Sequence, residues 1–150
     1  MKEIEERFSN ALHNTARSWR QALDRRLKYL GISQAGWMTI AQAAKAARPL
    51  SQSEMADRLG VEGATMVAMV DRLVKAGLVV REPSQTDRRV KHIVLTDAGN
   101  RLYDRVRGEA EKFRGELLRH MDTAKVQEAT RLLEELQGLA EKSISDSHPA

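Results

Sequence analysis

The chain has 150 residues, 25 Lys and Arg against 21 Asp and Glu, a formal net charge of +4, no cysteine and only 4% aromatic residues. That length suits one ordinary domain with a core that needs no staples. The missing thiols exclude thiol-based peroxide sensing, and the scarcity of aromatics argues against a single-strand binder that stacks bases. The basic balance suits an anionic partner, but acids and bases are so nearly matched that the placement of charge decides more than its sum.

In chain order, Phe8, Leu12, Ala16, Trp19, Leu23, Leu27 and Leu30 recur at helical spacing, so about Glu3 to Leu30 reads as one long amphipathic helix. Gly31 closes it and Ile32 folds back on the last turn. Ser33 caps the next helix, which turns Trp37, Ile40 and Ala44 inward and ends before Pro49. Ser51-Gln52-Ser53-Glu54 is a capping box. The helix it opens carries Met55, Ala56 and Leu59 inward and stops at Gly60.

After the short turn Val61-Glu62-Gly63, a second helix runs from about Ala64 to Ala76. Met66, Val67, Val70, Leu73 and Val74 are expected to face the core, and Thr65, Ala68, Met69 and Arg72 to form the outward stripe. Gly77 ends this helix. Residues 78–81 and 91–95 are β-branched runs, separated by Pro83-Ser84-Gln85-Thr86-Asp87-Arg88-Arg89. Thr96 or Asp97 then caps a long helix with the stripe Leu102, Val106, Ala110, Phe113, Leu117 and Met121. Asp122 or Thr123 starts the last helix, whose apolar positions are Val126, Ala129, Leu132, Leu133, Leu136 and Leu139, and residues 143–150 read as a flexible polar tail.

These elements predict a mainly α (α+β) fold: a winged helix-turn-helix at residues 33–96, with its wing at 78–95, flanked by long N- and C-terminal helices that form a dimerisation region at 1–32 and 97–142. The long helices carry more apolar stripe than a winged helix covers, and a symmetric homodimer is the economical way to bury it. Two-fold symmetry would set the second helices in successive major grooves, roughly 34 Å apart on a pseudo-palindromic site, with the hairpins reaching the neighbouring minor grooves. The charged start and the lack of any long apolar run point to a cytoplasmic protein with no signal peptide and no membrane partner.

Asp71-Arg72-Leu73, Gly77-Leu78-Val79, Asp87-Arg88-Arg89 and Leu95-Thr96-Asp97-Ala98-Gly99 together resemble the MarR family of bacterial transcription regulators. Trp19-Arg20, Leu27-Lys28-Tyr29-Leu30-Gly31-Ile32-Ser33-Gln34 and Trp37 are similar to its SlyA-like branch. The likeness spans nearly the whole chain and implies one MarR-type domain over residues 1–150, acting as a dimeric, sequence-specific regulator of double-stranded DNA, commonly a repressor.

The expected DNA-binding residues are Ser51, Gln52, Ser53, Glu62, Thr65, Ala68, Met69, Arg72, Arg88, Arg89 and Lys91. Ser51, Gln52 and Ser53 sit at a helix start that favours a phosphate as well as capping. Members of the family often carry arginine at the position of Ala68; here a threonine methyl, an alanine and a methionine suit thymine methyls and predict an A/T-rich operator. The resemblance implies that an arginine of the Asp87-Arg88-Arg89 motif enters the minor groove or braces the wing. Asp87 is read as holding the loop and Asp71 as tying helix to wing.

By the same resemblance Arg17, Arg20 and Trp37 match a cleft that accepts aromatic carboxylates such as salicylate; guanidinium forks suit the carboxylate and an indole its ring. The plainer reading pairs Arg20 with Asp24 at i, i+4 and leaves Trp37 in the core. The four histidines are scattered; Glu116 and His120 share a helix face at i, i+4, a spacing compatible with a metal, but a site needs further ligands and none is expected, and no catalytic constellation stands out. No enzyme activity and no cofactor are expected. The alternative is an architectural or protein-interaction winged helix that binds DNA weakly and without specificity.

Overall fold

In the computed structural model, which describes residues 1–147, the elements are α1 (Lys2–Leu27), a 3-10 turn (Lys28–Leu30), α2 (Gln34–Lys45), β1 (Leu50–Ser51), α3 (Gln52–Leu59), α4 (Gly63–Lys75), β2 (Val79–Pro83), β3 (Lys91–Leu95), α5 (Asp97–Leu118) and α6 (Thr123–Asp146). The strands form one antiparallel sheet ordered β1-β3-β2. This is the mainly helical winged helix-turn-helix that the sequence predicts. The chain divides into two compact units, Met1–Glu111 and Lys112–Ala150.

Short polar signals set most of the element boundaries. Ser33 accepts from the backbone N–H of Gly36 at 3.1 Å and starts α2. The capping box is complete, with Glu54 N–H on Ser51 Oγ at 3.1 Å and the Glu54 carboxylate accepting from Ser51 N–H at 3.3 Å. Gly60 takes φ 66°, a left-handed conformation that lets α3 stop and α4 start three residues later. Asp122 caps α6 by accepting from Ala124 and Lys125 N–H.

Thr96 does two tasks: its Oγ1 accepts from Gly99 N–H at 3.1 Å and donates to Gly77 C=O at 2.6 Å, so the start of α5 is fastened to the end of α4. Gly99 allows that approach. A Cβ there would lie 2.1 Å from Leu78 O, a contact that side chains do not make.

Within Met1–Glu111 one core joins α2, α3, α4 and the sheet through Ile40, Leu50, Met55, Met66, Val70, Leu73, Val79 and Ile93, each at most 4% exposed. The N-terminal helix is docked by polar contacts as well. Arg26 Nε and Tyr29 OH donate to the two Glu109 oxygens at 2.9 and 3.1 Å, and Arg105 lies over the Tyr29 ring.

The structure corrects several expectations. The last three residues of the first helix tighten into the 3-10 turn. β1 is only two residues long, too short to show alternation, and exists because Leu50 and Ser51 pair with Ile93 and His92. β2 runs on to Pro83, which tolerates the strand because it sits at the strand's end on the sheet edge. α6 continues through Ser143–Asp146, which the sequence placed in the tail; residues 148–150 lie outside the described residues.

On α1 only Leu23 and Leu27 of the expected stripe are buried, and Phe8 is 39% exposed. In Lys112–Ala150, Phe113 is buried, whereas Leu117, Leu132, Leu133 and Leu139 are 45–62% exposed. Met121 falls in the turn after α5.

Candidate nucleic-acid interface

α4 presents the face on which the reading depends, and its phase differs from the expected one. The buried side is Met66, Met69, Val70 and Leu73; Val67 and Val74, expected inside, are 41% and 37% exposed. Met69 is therefore a core residue, 6% exposed, and not part of an outward stripe. The two residue types compete for the boundary positions, and the long flexible thioether reaches the core where a valine on the wing side does not. At about 100° per residue the outermost positions become Ala64, Ala68, Asp71 and Lys75, flanked by Thr65 and Arg72 on one side and Val67 and Val74 on the other.

Arg81 locks the wing onto this helix. Its Nε donates to Gln52 Oε1 at 2.7 Å, and its Nη2 donates to Asp71 Oδ1 at 2.6 Å and to Val67 C=O at 3.4 Å. One guanidinium thus connects β2 with the first residue of α3 and the exposed face of α4. Asp71 ties helix to wing as expected, but the sequence reading missed its partner. The signal was present: strand alternation puts Arg81 on the same face as the buried Val79.

The wing tip is built around Ser84 and Asp87. Ser84 Oγ accepts from the Thr86 and Asp87 N–H groups, Ser84 N–H donates to Val90 C=O at 2.8 Å, and Val90 N–H closes a turn onto Asp87 C=O. Asp87 accepts from Arg89 through both guanidinium and backbone N–H groups. The Arg89 guanidinium first, and its backbone N–H second, hold the Asp87 carboxyl below its ordinary range. The two tip arginines consequently differ: Arg89 is engaged by Asp87, whereas Arg88 is exposed and makes no hydrogen bond or ion pair among the described residues. Lys91 begins β3 opposite Pro83 and is exposed.

At the start of α3, Ser51 Oγ is used in capping and Gln52 Oε1 is used by Arg81, leaving the Gln52 amide NH2 and the exposed Ser53 hydroxyl as donors. Arg48 adds a fork onto Glu54, with N···O distances of 3.1 and 2.5 Å. That hydrogen-bonded fork, then the Ser51 backbone N–H, lowers the Glu54 carboxyl to about 2. Glu62 is the exposed residue preceding α4, and its side chain makes no capping bond.

Two cavities of the same unit adjoin this region. One of about 220 Å³ is lined mainly by apolar residues of α2 and α4, among them Met38, Met66 and Met69, together with Arg20 and Thr65. The other, about 360 Å³, holds His13, Arg17, Arg20 and Gln34. Arg17 and Arg20 are thus brought together, but Trp37 does not join them. It is buried, as the plainer reading had it, and its Nε1–H donates to Asp24 Oδ1 at 3.0 Å, whereas the Arg20–Asp24 pair of that same reading does not form. His13, missed in the sequence, lies four residues before Arg17 and seven before Arg20, on one helix face. Among the described residues no cluster of His, Asp or Glu could hold a metal, and no helix is long and apolar enough to cross a membrane.

A family model described as MarR family matches residues 30–90. The structure of transcriptional regulator PA3341 is 36% identical, with a TM-score of 0.83, over 90% of this chain and 98% of that one. The fold is also shared with Staphylococcus aureus MarR, solved in complex with salicylate and kanamycin, at 21% identity and a TM-score of 0.82 over 93% of this chain and 94% of that one. CouR from Rhodococcus jostii RHA1, solved bound to p-coumaroyl-CoA, is 24% identical with a TM-score of 0.74 over 86% and 90%. With PA3341 36% identical and matched almost end to end, and the family model lying on the helix-turn-helix and wing, the chain belongs to the MarR family of DNA-binding transcriptional regulators and is not an enzyme.

Proposed function

We propose that the protein is a cytoplasmic, ligand-responsive regulator, close to the SlyA-like branch, that binds a pseudo-palindromic A/T-rich operator as a homodimer. The observation that carries this reading is the Arg81 tie, which fixes the wing beside α4 and leaves Arg88 exposed at its tip. A narrow A/T-rich minor groove attracts such an arginine. Thr65 and Ala68, with Val67 in the place expected of Met69, offer methyl groups to thymines, and Arg72 flanks them. Glu62 can accept from a cytosine amino group. Ser53, the Gln52 amide, Ser51 at the helix start and Lys91 supply backbone contacts.

Residues 33–96 act as the reading head. Residues 1–32 and 97–142 carry the dimer contacts, because Ile4, Phe8, Leu132 and Leu139 are 39–62% exposed in the single chain. Arg17 and Arg20 receive the anionic end of a small aromatic carboxylate, supported by their shared cavity and by the ligands of the two related structures. Selection from a random duplex pool with the full-length protein tests the reading. It should return A/T-rich half-sites centred about one helical turn apart. G/C-rich half-sites, or no enrichment, would refute it.

A further inference from the structure

The inference here rests on the ligand-binding part of that reading and sharpens the chemistry of the ligand. The two cavities beside α4 share Arg20 and Gln34 as lining residues, so they meet at one guanidinium and one amide. Their characters are opposite. The α4 side is walled by Met38, Leu59, Val61, Met66 and Met69. The other side is walled by His13, Arg17, Arg20, Gln21 and Gln34, with Ala16 as its apolar residue.

No carboxylate is among the residues lining either cavity, so the cations there have no acid to answer them. Arg17 is steadied by Asn14 Oδ1 at 2.8 Å. Arg20 makes no hydrogen bond or ion pair among the described residues, and Asp24, one turn further along α1, is turned to Trp37.

We propose that the two cavities form one bipartite site for a molecule with an aryl or acyl body and a phosphate-monoester head. The body lies among the thioethers and aliphatic side chains, and the head lies between Arg17 and Arg20, with His13, Gln21 and Gln34 as further donors. A single carboxylate has two oxygens and one charge, which one guanidinium fork satisfies. A phosphate monoester has three terminal oxygens and nearly two charges at neutral pH, which suits two forks and the amides beside them. Thr65, Met66 and Met69 belong to α4, so the body bears directly on the helix proposed to read DNA.

Calorimetric titration of the full-length protein in a phosphate-free buffer separates the possibilities, using phenyl phosphate, benzoate and inorganic phosphate as probes. Phenyl phosphate should bind about tenfold or more tighter than either of the others, since it alone joins a ring to a head that engages both guanidinium forks. Arg17→Gln, on the exposed side of α1 and checked for folding by its thermal transition, should weaken phenyl phosphate about fivefold or more and benzoate by less, because a single carboxylate can still use the Arg20 fork.

Benzoate binding as tightly as phenyl phosphate would overturn the bipartite assignment and leave the carboxylate reading standing. Tight phenyl phosphate binding that Arg17→Gln leaves unchanged would also overturn it, by removing the polar cavity as the seat of the head. If none of the three probes binds, the inference and the ligand reading both fall.

Discussion

Arg81→Ala removes the connection between wing, α3 and α4 at a residue that is not itself proposed to meet DNA. The contact to Asp71 is an ion pair with side-chain exposures of 27% and 61%, so solvent screens it to about 0–1 kcal/mol. The bond to Gln52 is charge-assisted and half-buried, and a bond of that kind contributes about 1.5–3 kcal/mol. The 3.4 Å contact to Val67 C=O adds little. A loss of about 2 kcal/mol per protomer follows, or a fall in Tm of about 4–8 °C for a chain of this size.

The same loss bears on recognition, because a released wing has to be ordered again on DNA. With two wings per dimer, specific affinity should fall by between about tenfold and a thousandfold. Fluorescence anisotropy across several salt concentrations separates positioning from contact. If Arg81 only positions the wing, the salt slope is unchanged and non-specific binding falls far less than specific binding. Asp71→Asn should reproduce a small part of the effect, and Arg81→Lys, which cannot form the fork, most of it. A lower Tm with unchanged specific affinity, or a salt slope flattened by about two per dimer, would refute the reasoning.

Acid unfolding should register Glu54. Its folded carboxyl is lowered to about 2 from an ordinary 4.5, so its stabilisation is fully present above 4.5 and is lost as pH falls towards 2; Glu54→Gln should flatten that part of the pH–stability curve. Gly99→Ala forces a Cβ against Leu78 O and should cost about 1–3 kcal/mol in denaturant titration, whereas Gly108→Ala, where a Cβ meets nothing, should not destabilise. Leu132→Asp and Leu139→Asp place charges on exposed apolar positions of α6 and should shift the protein from dimer to monomer in sedimentation at micromolar concentration; an unchanged dimer would remove that helix from the interface.

The helix boundaries were legible because they depend on short-range polar chemistry: Ser33, Ser51, Glu54, Thr96 and Asp122 cap where their spacing says they should. The facing of α4 was less legible, because Met69 and Val67 lie at the edges of an apolar arc that periodicity fixes only to within a residue or so. β1 and the Arg81 tie depend on partners 10 to 43 residues away on other elements, which local patterns do not encode. Asp71 and Asp87 could be assigned structural roles, but not which arginine each would hold. That distinction decides that Arg88 rather than Arg89 is the freer cation at the tip. In the same way, Trp37 reads equally as ring-binder or core until its indole N–H is seen on Asp24.

The most direct test of the central claim is the ratio of affinities for the selected operator and for scrambled duplex at physiological salt, measured for the wild type and for Arg88→Ala. The account predicts a ratio on the order of a thousand or more for the wild type, reduced by about tenfold or more when Arg88 is removed from both wings. Equal, salt-labile binding to both duplexes would contradict it and make the protein an architectural winged helix held by backbone phosphates alone.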